Sequence, residues 1–204
     1  MSYDFLDRLM RVRDEKGNAY QYTYDANNNM IRLRHEADGT VHTIGYTYDK
    51  DSRETKTTLG KVTRETAYDA WGRVKAQDWK NDESQIFHVS YEYPDSGKNI
   101  IGLPTKIING GVATEYTYDA NGNITSATEN KKKVSYVYDG LNRLVRENNE
   151  LLNKTITYYY DEGGSLLVSE RTGDETIWYQ YDSAASLVAM IIGGTRYNYV
   201  RNAQ

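Results

Sequence analysis

The sequence predicts an all-β fold: consecutive antiparallel hairpins, about ten of them, joined into a curved or spiralling sheet, a partial β-shell. Three observations carry that expectation. Eighteen of the 20 tyrosines fall in one recurring run, Tyr-x-Tyr-Asp or a trimmed version of it. In seven of nine runs the fourth residue after the reference tyrosine is Gly, Asn or Asp, and in seven of nine the sixth is apolar, Glu54 and Asn99 being the exceptions. Helical periodicity is absent, whereas alternating Tyr and Thr favour strands.

The run opens at Tyr3 as YDFLDR. It recurs at Tyr22, Tyr24 and Asp25, at Tyr46, Tyr48 and Asp49, and as YDAWGR at Tyr68, Asp69 and Gly72. A variant, YEYPDSG, begins at Tyr91. The cleanest copy is Tyr116, Tyr118, Asp119 and Gly122, followed by Tyr136, Tyr138 and Asp139, by Tyr158, Tyr160 and Asp161, and by Tyr179, Tyr181 and Asp182. A last run, YNYVRN, begins at Tyr197. Successive reference tyrosines stand 18 to 25 residues apart. A unit of that size is one supersecondary element, too small to bury a core alone, so neighbours must stack.

Each unit reads as a hairpin. In Tyr116-Thr117-Tyr118 the two rings share one side of a strand. In Asp119-Ala120-Asn121-Gly122 the carboxylate accepts a backbone N–H two residues on, and glycine supplies the left-handed position of a three-residue loop with a bulge. Other units keep the slots. Four residues after the reference tyrosine stand Asp7, Asn28, Ser52, Gly72, Gly97, Gly122, Asn142, Gly164 and Ala185. Six residues after stand Leu9, Met30, Glu54, Val74, Asn99, Ile124, Leu144, Leu166 and Leu187. Second turns are expected at Asp38-Gly39, Asn109-Gly110-Gly111, Gly173-Asp174 and Gly193-Gly194. Two strands per unit make a sheet too long to stay flat, so it must coil. The tyrosine rings stand in for aliphatics as its filling.

Composition narrows the function. There is no cysteine, hence no disulfide or thiolate metal site. A net charge of −4 argues against a nucleic-acid partner. The only basic run, Lys131-Lys132-Lys133, is expected at a solvated hairpin tip. The N-terminus has no apolar segment of a signal peptide, and no stretch is long and apolar enough to span a membrane.

The recurring YxYDxxGN unit closely resembles the RHS/YD-repeat family, which includes bacterial Rhs polymorphic toxins, wall-associated proteins and teneurins. Tyr118, Asp119, Gly122, Asn123 and Ile124 carry the resemblance best. Tyr68-Asp69-Ala70-Trp71-Gly72-Arg73, Gly102-Leu103-Pro104-Thr105-Lys106 and the ending Tyr197 to Gln204 are similar to family text. The resemblance covers essentially the whole chain. It implies a β-strand spiral forming a hollow shell that, in toxin members, encloses a C-terminal effector and is closed by a core segment that cuts the effector free. That segment has no counterpart before Gln204, so cleavage and toxicity are not carried over. The array, residues 1–204 with no separate second domain, reads as incomplete at both ends, a fragment of a longer protein. The resemblance also implies an extracellular or wall-associated location.

Other motifs have plainer explanations. Asp25-x-Asn27-x-Asn29 with Glu36 is similar to a calcium loop, but Met30 occupies the glycine position, and the hairpin turn accounts for these residues. His35 and His42 stand seven apart across the expected Asp38-Gly39 hairpin, a spacing that lets them approach, but they offer zinc only two ligands; they and His88 read as surface residues. Catalytic signatures are absent. Trp71 could stack a sugar from within its turn, or fold onto the neighbouring repeat. We therefore expect a non-catalytic shell segment, without cofactor or metal. Its partners are further repeats or the core of a parent protein, or an encapsulated polypeptide. The alternative is a module binding cell-surface or cell-wall glycans, with Trp71 as a contact.

Overall fold

The structure, a computed structural model, describes residues 1–82, 84–94 and 102–199. Gly97 and Asn99 of the repeat slots, and Val200 to Gln204 of the ending, lie outside the described residues. Nineteen strands and no helix make up what is described. The hairpin array expected from the tyrosine period is the fold observed.

The chain divides into two compact units, Met1–Glu92 with Ile107–Gly111, and Tyr93–Lys106 with Val112–Gln204. In the first, the strands begin with β1 (Ser2–Tyr3), β2 (Leu9–Arg13) and β3 (Ala19–Tyr24). They continue with β4 (Met30–Ala37), β5 (Thr40–Tyr48) and β6 (Glu54–Leu59). β7 (Val62–Tyr68), β8 (Val74–Asn81) and β9 (Ser84–Glu92) complete the run. A short strand, β10 (Lys106–Asn109), comes next in chain order. The second unit holds β11 (Val112–Tyr118), β12 (Ile124–Glu129) and β13 (Lys132–Tyr138). Then come β14 (Leu144–Asn149), β15 (Lys154–Tyr160) and β16 (Leu167–Thr172). It ends with β17 (Glu175–Tyr181), β18 (Leu187–Ile192) and β19 (Thr195–Asn198). Within each unit every strand pairs antiparallel with its chain neighbour.

The register slips by one residue just before the reference tyrosine in eight hairpins, at Tyr3, Tyr24, Tyr48, Tyr68, Tyr118, Tyr138, Tyr160 and Tyr181. Such bulges raise the local right-handed twist. Between these hairpins run the second turns. Asp38 and Gly39 (φ 49° and 73°), Gly110 and Gly111 (55° and 85°) and Gly193 and Gly194 (54° and 81°) are left-handed in pairs, the form that matches strand twist. At Gly173-Asp174 only the glycine is left-handed.

One unit departs from the expected spacing. After Asp161 the left-handed residue is Gly163 (φ 73°), not Gly164, and the Asp161 N–H reaches Leu166 O five residues on. This loop is one residue longer than its siblings, so the return strand starts at Leu167 rather than Leu166.

The second difference concerns the filling. Among the described residues no large side chain is fully buried, and the buried apolar residues are Ala19, Val89, Val134 and Ala189. Within each unit, the described strands contact only their chain neighbours. A sheet covers a ring lying on its face from one side. The signature tyrosines are accordingly half-buried rather than enclosed.

Candidate functional site

The chemistry of the chain is concentrated in its repeated tyrosine–aspartate turns. In every one of these turns but the longer one at Asp161, one carboxylate oxygen of the aspartate accepts two backbone N–H groups. Asp25 Oδ1 takes Asn27 and Asn29, Asp49 takes Asp51 and Arg53, and Asp69 takes Trp71 and Arg73, all at 2.8–3.0 Å. Asp119 takes Asn121 and Asn123, Asp139 takes Leu141 and Arg143, and Asp182 takes Ala184 and Ser186. Asp161, in its longer loop, takes Leu166 N–H. The other oxygen binds the side chain four residues on: Asn29 or Asn123 Nδ2, or Arg53, Arg73 or Arg143 Nε, at 2.6–3.0 Å. The fourth residue after the reference tyrosine is left-handed in seven units, including Ser52 (φ 60°) and Ala185 (φ 59°) as well as Gly72 and Gly122. The same turn occurs at Asp14, where Asn18 N–H and Nδ2 bind its two oxygens and Gly17 has φ 89°. The text Asp-x-x-Gly-Asn signals it there without a tyrosine.

The tyrosine before each aspartate has a second task. Its hydroxyl donates to a backbone carbonyl on the preceding repeat. The pairs are Tyr24 to Leu9, Tyr48 to Met30, Tyr68 to Glu54 and Tyr118 to Pro104, at 2.6–3.0 Å. Tyr138 to Ile124, Tyr160 to Leu144 and Tyr181 to Leu167 follow, at 2.8–3.0 Å. The reason lies in the ladders. β4/β5 pairing stops at Arg32↔Gly45 and β12/β13 pairing at Ser126↔Ser135, two residues short of Met30 and Ile124. β2/β3, β6/β7, β14/β15 and β16/β17 stop in the same way. The carbonyl left over needs a donor, and the phenol supplies it.

A third link joins adjacent turns. Arg8, Arg53 and Arg143 each lie over the ring of the next repeat's tyrosine, Tyr24, Tyr68 and Tyr160, at 4.7–4.9 Å from the centroid. Arg143 Nη1 also donates to the carbonyls of Asp161 and Gly164. Where the arginine is replaced by asparagine, Asn29 reaches Ser52 Oγ, and Asn121 and Asn123 reach Asn142 Oδ1.

The first tyrosines of the runs lie in the sheet opposite Leu33 (Tyr22), Thr57 (Tyr46), Ala127 (Tyr116), Glu147 (Tyr136), Glu170 (Tyr158) and Met190 (Tyr179). Burial, then the negative charges of Glu147 and Glu170, push the Tyr158 phenol up. Burial, the charge of Glu170 and a hydrogen bond to it push Tyr179 up to about 12. Burial likewise raises Tyr48, Tyr118, Tyr136, Tyr138 and Tyr160. The turn aspartates move the other way: the Asn29, Arg53 and Asn123 side chains hold Asp25, Asp49 and Asp119 below the usual range, and the Arg143 N–H does so for Asp139. Both shifts move these groups further from neutral pH.

Trp71 sits in its turn with 69% of its surface exposed, so the ring does not fold onto the neighbouring repeat. The Asp25 carboxylate is occupied by Asn27 and Asn29 donors, and among the described residues no three His, Asp or Glu side chains gather as metal ligands. His88 Nδ1 lies 2.7 Å from Asp78 Oδ1. Lys131 forms a hairpin tip with Asn130, both left-handed, while Lys132 and Lys133 begin β13 with exposed side chains.

Hairpins bulged at a tyrosine, turned on an aspartate and tied to the repeat before define a YD-repeat array. The Teneurin YD-shell model matches residues 47–200 and the RHS Repeat model residues 3–41, and the chain belongs to the teneurin YD-shell family. Two curated relatives are similar in sequence. The tRNA nuclease WapA of Bacillus subtilis (strain 168) is 30% identical over 201 residues, covering 89% of this chain and 8% of that protein. The tRNA3(Ser)-specific nuclease WapA of Bacillus spizizenii is 27% identical over the same shares. The chain thus spans less than a tenth of the relatives it matches. Among solved structures, TcdB2-TccC3-TEV superposes with a TM-score of 0.76 over 94% of this chain and 11% of that one, at 11% identity. TcdB2-TccC3-Cdc42 gives 0.74 over 92% and 11%, at 10% identity. These similarities establish a shared fold.

Proposed function

We propose that this chain is a wall segment of a YD β-shell that encloses or displays another polypeptide, and that its own residues perform no catalysis. The observation that carries the reading is the sevenfold tyrosine-to-carbonyl bond. It commits seven of the signature tyrosines to joining each repeat to the last, in an array where no large side chain among the described residues is fully buried. Further repeats and a core of the parent protein, or the enclosed polypeptide, are the partners that fit such an array. A location outside the cell or at its surface fits the same family; no helix among the described residues is long and apolar enough to cross a membrane.

The nuclease activity in the relatives' names belongs, on this reading, to parts of those proteins that the present chain does not span. The test incubates the purified chain with tRNA while its folding is followed by circular dichroism. The expected result is a cooperatively folded β protein that leaves the RNA intact. Cleavage that a single carboxylate substitution abolishes would overturn the structural role.

A second reading rests on Trp71, whose exposed ring stands in a turn as a stacking platform for a sugar. It requires binding on a glycan array that Trp71→Ala removes. Absence of binding to any glycan dismisses it.

A further inference from the structure

The three histidines are not equivalent. His88 is committed to Asp78. His35 and His42, by contrast, are direct partners in the β4/β5 ladder, and Tyr20 on β3 is the partner of His35 on its other side. Opposed side chains in an antiparallel pair have Cβ atoms about 4.5–5.5 Å apart and lie on the same face. The Asp38-Gly39 turn, left-handed at both residues, pins that register three residues away on each strand. The two imidazoles are therefore held side by side by the backbone itself.

The rings are also prepared for a ligand. Tyr20 stacks on His35 with centroids 4.3 Å apart and planes inclined by 13°. Stacking occupies the face of the imidazole, whereas its nitrogen lone pairs lie in the ring plane and stay open at the edge. Among the described residues neither imidazole makes a side-chain hydrogen bond or an ion pair. Both line one cavity of about 250 Å³, whose other walls are Tyr20, Leu33, Ile44 and Leu59. Those walls bring no charged side chain to the pair.

We infer that His35 and His42 form a two-imidazole chelate for a divalent transition-metal ion of borderline softness, best filled by copper(II). Imidazole nitrogen suits copper, nickel and zinc, and affinity along that series peaks at copper(II). Calcium and magnesium prefer oxygen donors, which the cavity walls supply only as the Tyr20 hydroxyl. A structural zinc site takes four protein ligands, which is why the pair looked poor for zinc in the sequence. Two ligands leave the remaining coordination positions to water or to a donor from a second molecule. The site is independent of the shell role: it lies within one face of β4 and β5.

The experiment titrates the whole chain with copper(II), nickel(II), zinc(II) and magnesium salts, using calorimetry and the electron paramagnetic resonance of the copper form. The expected result is one copper(II) per chain, bound more tightly than nickel or zinc, with hyperfine coupling to two nitrogens and no magnesium binding. His42→Ala loses the chelate, so copper affinity falls by about 100-fold, while His88→Ala leaves it unchanged. His42 is exposed, so its substitution leaves the β circular-dichroism signal intact. Copper binding that survives His42→Ala, or that His88→Ala reduces equally, overturns the assignment.

Discussion

At the scale of the residue, the phenol hydroxyl is the most informative atom in the chain. Tyr138→Phe removes only that atom and strands the Ile124 carbonyl, so it costs about 1 kcal/mol in urea unfolding. Tyr159→Phe, at an exposed ring outside the reference positions, changes stability by less than about 0.5 kcal/mol. Titration gives a second expectation. Tyr179 keeps its proton up to about 12 in the fold but would release it near its ordinary value of 10.0 when unfolded. The folded state then holds more protons than the unfolded one, so stability is full below pH 10 and falls as pH rises towards 12. Glu170→Gln removes the neighbouring charge, and phenolate absorbance then reports a lower pKa for Tyr179. On the acid side the sign reverses. Asp49 and Asp119 are held below 3.8, so their contribution is present above that pH and is lost as pH falls through their folded values. The spacing of the tyrosines was legible in the sequence, but the acceptor of each hydroxyl was not. It lies on the preceding repeat, on a carbonyl that no side-chain pattern reports.

At the scale of the element, the turn decides the hairpin, and its conformational demands were largely readable. Gly, Asn and Asp at the left-handed slot declare themselves because their side chains tolerate that backbone. Ser52 and Ala185 do not, and they adopt it because the aspartate's two N–H bonds and the ladders on both sides leave no alternative. Ala185→Gly relieves that strain and raises stability by up to about 1 kcal/mol in thermal or urea unfolding. Gly164→Ala acts the other way, because a Cβ there would collide with the Asp161 carboxylate and open the turn. A lowered melting temperature for Ala185→Gly would show that the slot is not strained. The extra residue after Asp161 escaped the sequence reading because two glycines and two leucines in a row offer two equally good alignments. The backbone bond from Asp161 to Leu166, the left-handed Gly163 and the pairing of Tyr160 with Leu167 separate them.

At the scale of the whole molecule, stability is built from links between neighbouring repeats. Arg143 is the clearest link, bound to Asp139 in its own turn, stacked on Tyr160 of the next and hydrogen-bonded to the carbonyls there. A double-mutant cycle of Arg143→Ala with Tyr160→Ala, which removes the stacked ring, therefore gives a coupling energy of at least about 0.5 kcal/mol. The array itself was legible because a period survives any uncertainty about single residues. The half-exposure of the rings was not, because a tyrosine that shields one side of a sheet and a tyrosine sealed in a core leave the same letter in the text. The tie from each phenol to the repeat before it has a mechanical corollary. A tether drawn tight at both termini loads the joints in series, so a force–extension trace records one small rupture after another, each releasing a single hairpin's length of chain, in place of one all-or-none event.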